Sequence, residues 1–230
     1  MSIYIQLTSR CNMTCSHCCF SCTSRGHDMS RQDFESAIAF AKQYEQSITL
    51  GGGEPTLHPL FKDFLFHAVW ELAAMSESNG GPSVHLVTNG SITETALTIA
   101  HLAKQGMITA AVSHDEYHDP IDPRVYKAFE KPKYDYYDHS HNDDRDGRSV
   151  NGQHLYIIPA GRAKRWGNHP SMKCVCDALF IDPKGNVYPC GCKKTILGHV
   201  SHDIQIKYEY FEGYCEKDKS FIDNVVNAEE

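Results

Sequence analysis

The chain has 230 residues, with 22 Lys and Arg against 29 Asp and Glu (net −7), 41% apolar residues and ten cysteines. That length buries a real core. The acidic balance argues against a non-specific nucleic-acid binder, which needs clustered basic residues, and no stretch approaches the ~20 apolar residues of a membrane span.

In chain order, residues 3–8 (Ile-Tyr-Ile-Gln-Leu-Thr) read as a strand running into Cys11, Cys15, Cys18, Cys19 and Cys22. Ser30 and Asp33 resemble a capping box before Phe34, Ala37, Ile38, Ala41 and Tyr44, which recur at helical spacing. Residues 47–50 form a second strand, ended by Gly51-Gly52-Gly53. Phe61, Phe64, Leu65, Ala68, Val69, Leu72 and Met75 make the apolar stripe of one helix, and Val84 to Val87 is a third strand closed by Thr88-Asn89-Gly90. A third helix over 93–105 meets Gly106 where a C-terminal cap belongs, and Met107 to Val112 is a fourth strand.

The pattern weakens after Asp119. One strand–helix unit is expected to be missing over 120–150, leaving a wide opening, and the polar, aromatic stretch 134–148 (YDYYDHSHNDDRDGR) reads as a long lid-like loop. Gln153 to Ile158 reads as a fifth strand leading into Pro159-Ala160-Gly161-Arg162-Ala163. From Cys174 the texture becomes a hairpin: Ala178 to Asp182, a Pro183–Asn186 turn, then Val187 to Tyr188. Alternating strands and helices predict an α/β fold with a parallel sheet and a site at the C-terminal strand ends. A boundary near residue 170 divides the chain into 1–170 and 171–230.

No secretory signal is visible at the start, so the thiols are expected in a reducing cytoplasmic compartment, where metal or catalysis is expected rather than disulfides. Cys11-x3-Cys15-x2-Cys18 can wrap one face of a [4Fe–4S] cube and leave the fourth iron open. Three alternatives stand beside that reading. Cys15, Cys18, Cys19 and Cys22 suit a zinc knuckle, Cys19 or Cys22 can act as a fourth cluster ligand, or both are buried spare thiols.

Gly51-Gly52-Gly53-Glu54-Pro55 ends the next strand on the same sheet edge. Together the two motifs resemble those of the radical S-adenosylmethionine (SAM) superfamily, over roughly residues 1–165. The resemblance implies a partial, shortened (β/α) TIM-like barrel. It also implies that a [4Fe–4S] cluster on Cys11, Cys15 and Cys18 binds SAM and cleaves it reductively to a 5′-deoxyadenosyl radical, which abstracts hydrogen from a substrate. By the same resemblance Gly51, Gly52, Gly53 and Glu54 bind the methionine amino group, Thr88 and Asn89 face the site, Ser113 and Asp115 touch the ribose, and Arg162 meets the carboxylate. His17 stands where members often carry an aromatic residue.

His114 and His118 at i, i+4 raise a zinc-hydrolase reading, but Asp115 occupies the place of the required Glu and Pro120 follows. His114, Glu116 and His118 read instead as substrate-pocket residues, where a histidine can relay a proton.

Cys174-x10-Gly185-x4-Cys190 resembles the twitch and SPASM domains of the same superfamily, small C-terminal β-hairpin plus helix units that bind an auxiliary iron–sulfur cluster. Cys192 and Cys215 complete four ligands for one cluster, expected to be [4Fe–4S], and Cys176 is a fifth candidate; a zinc ribbon is the alternative. The function implied is a radical SAM oxidoreductase or maturase with a peptide or small-molecule substrate, reduced by an external donor such as flavodoxin or ferredoxin, with no nucleic-acid or membrane partner. Peptide modification is favoured over oxidation of a small polar metabolite. Because the chain starts at its first strand, a leader-binding domain is expected to act in trans. A non-catalytic zinc-stabilised binding module is the competing class.

Overall fold

The structure is a computed structural model that describes residues 2–131, 146–151, 158, 160–166 and 178–206. Strands β1 (Ser2–Thr8), β2 (Ser47–Gly52), β3 (Val84–Thr88), β4 (Thr109–Ser113), β5 (Arg148–Asn151), β6 (Ala178–Ile181), β7 (Asn186–Tyr188) and β8 (Gly198–His199) form one sheet in the order β5-β4-β3-β2-β1-β6-β7-β8. Every pairing from β5 through β1 to β6 is parallel; β7 and β8 add antiparallel edges. The α/β reading therefore holds, as an open sheet of the partial-barrel kind.

β1 shows why the sheet has a core side and a site side. Ile3, Ile5 and Leu7 are fully buried in the main apolar cluster. The alternate residues Tyr4, Gln6 and Thr8 point the other way, as strand geometry dictates. Gln6 and Thr8 are nevertheless 0% exposed, so this second face buries polar groups.

Helix α1 (Arg31–Gln43) starts as predicted: Ser30 Oγ accepts from the Asp33 N–H at 3.0 Å. Its buried face, including Phe34, Ala37 and Ile38, packs on the sheet, and Phe34 stacks on Phe64 at 4.0 Å. The stripe read as one helix is divided at Leu72 into α2 (Phe61–Glu71) and α3 (Ala73–Ser78). The break is shallow, because Leu72 N–H still reaches Ala68 O and Ser76 N–H reaches Leu72 O. Helix α4 (Thr93–Lys104) ends as expected: Gly106 N–H bonds Ala103 O and Met107 N–H bonds Leu102 O, the paired bonds of a Schellman cap.

The unit expected to be missing over 120–150 is present in part: helix α5 (Pro123–Phe129) and strand β5 extend the alternation. Its signals were local. Asp122 caps the helix by accepting from Arg124 N–H at 2.9 Å, Pro123 takes the first turn, and Val125 and Phe129, four apart, are fully buried. Asp122→Ala should cost about 1 kcal/mol in urea unfolding, the usual loss of a helix cap. β5 lies earlier than the expected fifth strand, at the end of the stretch read as loop; residues 132–145 and 152–157 are outside the described residues.

The hairpin forms where predicted, with Asp182 Oδ1 accepting from the Lys184 and Asn186 N–H groups in its turn. It continues the main sheet: β6 runs parallel to β1, pairing Ile3 with Leu179 and Ile5 with Ile181. Cys174, Cys176, Cys215 and the helix expected with them lie outside the described residues. No helix among the described residues is long and apolar enough to cross a membrane.

Candidate functional site

The cysteine loop after β1 is tied down at both ends. Cys11 N–H donates to Thr23 O, Ser9 N–H to His27 O and Met29 N–H to Leu7 O. Thr8 Oγ1 donates to Asp28 Oδ1 at 2.7 Å, and Arg10 pairs with Asp28 at 2.9 Å. Cys11, Cys15 and Cys18 consequently line one wall of a cavity of about 240 Å³ at the C-terminal edge of the sheet.

Gly52 and Gly53 line the same cavity, and a Cβ on Gly53 would come within 3.0 Å of Cys11 Cβ. The glycines are needed for close approach of β1. A Cβ on Gly53 would stand 2.1 Å from Arg10 O, and one on Gly51 2.1 Å from the Tyr4 hydroxyl. That proximity lets Gly53 N–H and Glu54 N–H bond Thr8 O and Arg10 O, both at 2.8 Å, knitting the two strand ends together.

Glu54 is fully buried and faces the end of β3. Oε1 accepts from the Thr56 N–H (3.1 Å), the Thr56 hydroxyl (2.6 Å) and the Thr88 hydroxyl (2.8 Å); Oε2 accepts from the Asn89 N–H (2.7 Å). Burial pushes its carboxyl up, and these donors pull it back. Asn89 carries the linkage on, with Nδ2 donating to Asn12 Oδ1 at 3.2 Å and lying 3.8 Å from Cys11 Sγ. Thr88 and Asn89 both line the cavity, as does Ser113.

Arg162 also reaches the loop. A Cβ on Gly161 (φ +53°) would stand 2.4 Å from Cys19 O, so glycine lets this segment lie on the cysteines. Arg162 N–H bonds Cys18 O at 3.0 Å, Nε bonds Cys15 O at 3.0 Å and Nη1 bonds Cys22 O at 2.6 Å.

The thiols are not equivalent. Burial pushes Cys15 up to about 11, with Cys11 and Cys18 adding repulsion, and burial likewise raises Cys11. Cys18 is pulled down to about 5, chiefly by a hydrogen bond from the Cys22 thiol, which is itself raised by that bond. Cys19 is pushed up to about 12 by burial. Three cysteines in one glycine-lined cavity suit an iron–sulfur cluster, whose positive irons favour the thiolate form that burial opposes at Cys11 and Cys15. The structure thus fits the expected cluster and SAM.

Lys193, just after Cys192, sits behind this loop. Its ammonium donates to Gln6 Oε1 at 2.7 Å and lies 4.5 Å above Phe180 and 5.3 Å above Phe20; Gln6 Nε2 in turn lies 3.5 Å from Cys22 Sγ. Lys193→Met should strand the buried Gln6 oxygen and cost about 2 kcal/mol, lowering the melting temperature by roughly 4–8 °C; an unchanged melting temperature would refute that link. The sequence reading missed Gln6 and Lys193. Only the alternation in β1, which turns Gln6 to the same side as the cavity-lining Tyr4, hinted at either.

After β4 the predicted pocket residues separate. His118 lines the cavity, whereas His114 and Glu116 are exposed and His114 packs on Tyr126 at 3.8 Å. Asp115 turns inward: Oδ1 accepts from the Tyr117 and His118 N–H groups and lies 2.7 Å from His118 Nδ1. Of the C-terminal cysteines, Cys190 is 3% exposed and Cys192 is half-buried.

A sequence profile described as the Radical SAM superfamily matches residues 5–139. An S-adenosylmethionine-dependent nucleotide dehydratase of Thermoplasmatales archaeon (strain ISO4-H5) is 33% identical over 92 residues, which are 40% of this chain and 30% of that protein. The match thus spans less than a third of that curated relative. Among solved structures, BtrN in complex with AdoMet and 2-DOIA gives a TM-score of 0.59 at 18% identity, covering 96% of this chain and 84% of that one. The structure of anSMEcpe with bound AdoMet and Cp18Cys peptide gives 0.55 at 17%, covering 96% and 82%. At such identities the likeness is one of fold.

Proposed function

Because this chain belongs to the radical SAM superfamily, we propose that it is an oxidoreductase or maturase that abstracts hydrogen from a peptide. The observation that carries the reading is one cavity lined together by Cys11, Cys15, Cys18, Gly52 and Gly53. When bound, a [4Fe–4S] cluster on the three thiolates supplies the electron that splits SAM into methionine and a 5′-deoxyadenosyl radical.

The chain's own residues hold and shield that chemistry. Gly52 and Gly53 bring backbone to the methionine end of SAM, and Gly51 and Glu54 set their position. Thr88, Asn89 and Ser113 shape the nucleoside side, while Asp115, expected at the ribose, turns to the Tyr117 and His118 N–H groups. Arg162 braces the cysteine loop through Cys15 O and Cys22 O. Residues 1–170 form the core, and residues 171–230 a twitch-like domain in which Cys190 and Cys192 join Cys174, Cys176 and Cys215 as candidate ligands of one auxiliary cluster. Lys193, next to Cys192 in the chain, reaches Gln6 in β1 and so supports a position for that cluster near the N-terminal loop. An external flavodoxin or ferredoxin supplies electrons, and the protein works in the cytoplasm without nucleic-acid or membrane partners.

The peptide reading draws support from the fold shared with anSMEcpe, solved with a Cp18Cys peptide. A small polar metabolite is the second reading, favoured by the likeness to BtrN, solved with 2-DOIA. Protein reconstituted anaerobically with iron and sulfide and then reduced should release 5′-deoxyadenosine from SAM. Purification without oxygen that yields zinc, and neither iron nor acid-labile sulfide, would favour a zinc-stabilised binding module instead. Deuterium transfer into 5′-deoxyadenosine from labelled peptides, against labelled polyols and nucleotides, decides the substrate class.

A further inference from the structure

We propose that His17, Asp115 and His118 form a site for one divalent transition-metal ion at the wall of the cysteine cavity. One ligand atom from each residue lies within 4.8 Å of the others. The three come from two distant segments: His17 from the cysteine loop, Asp115 and His118 from the turn after β4. The fold, not local spacing, assembles them, and it replaces the His114–His118 pair that the sequence brought to mind.

The chemistry of the trio suits a cation. His118 Nδ1 lies 2.7 Å from Asp115 Oδ1, and these side chains are 12% and 5% exposed. A bound ion would replace the proton between these two atoms, so that the carboxylate oxygen and the ring nitrogen both serve as ligands. The His17 and His118 rings meet edge to face at 4.9 Å. Both histidines line the cavity, so the open coordination positions of a bound ion face its interior.

Two imidazoles and a carboxylate suit manganese, ferrous iron, cobalt or zinc, whereas the neighbouring thiolates select an iron–sulfur cluster. The two donor sets therefore sort their metals by softness. Metal–nitrogen bonds near 2.1 Å place tetrahedral donors about 3.4 Å apart. The Asp115–His118 pair, at 2.7 Å, lies closer than this and opens on binding. An ion held by three protein groups keeps positions for an anionic oxygen, so the ligand class is a substrate carboxylate or phosphate.

The test uses the full chain with its cysteine sites loaded with iron and sulfide, titrated anaerobically with Mn(II), which avoids thiolates. Loss of the free Mn(II) electron paramagnetic resonance signal should report one saturable equivalent, displaced by Zn(II), with nitrogen coupling in pulsed spectra. His118→Ala and His17→Phe should each weaken binding by at least roughly 10-fold, while His114→Ala, outside the trio, should not. Iron content and circular dichroism show whether each variant is folded, and two variants on separate segments guard against one failing. Lack of a saturable equivalent, lack of nitrogen coupling, or equal affinity in both folded variants would overturn the site. None of these readouts depends on SAM cleavage.

Discussion

Glu54→Ala should lower the melting temperature by roughly 8–16 °C. The Thr56 and Asn89 N–H groups lose their acceptor, the carboxylate of the fully buried Glu54. Stranding a buried donor costs about 1–3 kcal/mol, so two give about 4 kcal/mol. For a chain of this size each kcal/mol shifts the transition by roughly 2–4 °C. The Thr56 and Thr88 hydroxyls can turn to other partners and add less. Glu54→Gln keeps one acceptor oxygen and should lose about half as much. The readout separates two roles. A side chain whose main partner is SAM would leave the apoprotein's melting temperature within a degree or two and weaken SAM binding alone; that result would refute the crosslink between β2 and β3 described above.

Arg162→Ala should release iron from the reconstituted protein roughly 10–100 times faster to a chelator, the usual penalty for losing a group that orients metal ligands. Its guanidinium bonds Cys15 O and Cys22 O, and so spans the outer part of the cysteine loop. Arg162→Lys should not rescue it, because a single ammonium lacks the fork that reaches two carbonyls. If iron retention is unchanged and only the KM for SAM rises, Arg162 acts on the ligand and not on the loop.

Both expectations concern residues that the sequence marked for the right region. The first helix cap, the Schellman end of α4, the glycine run after β2 and the C-terminal hairpin were legible because each rests on bonds between residues a few positions apart. α5 carried an equally local signal in Asp122-Pro123 with Val125 and Phe129, but a polar neighbourhood masked it. The partners of Glu54 were not legible. Thr88 and Asn89 reach it only because β3 pairs with β2, and no motif records which strand ends share a buried carboxylate. The contact of Arg162 with the cysteine loop and that of Lys193 with Gln6 span far longer stretches of chain and leave no periodic trace. His17, which differs from the residue often found at its place in the family, gained its neighbours only in three dimensions.

The parallel pairing of β6 with β1 has a consequence for biosynthesis. β1 emerges from the ribosome early, yet one of its flanks stays open until Leu179 and Ile181 have been made. A nascent chain carrying every residue of the N-terminal cysteine loop still presents an unpaired inner strand, a template for wrong partners. Cluster insertion before that edge closes would load a half-built sheet. Assembly in the cell is thus expected to await the hairpin, so that translation itself orders strand closure ahead of metal delivery.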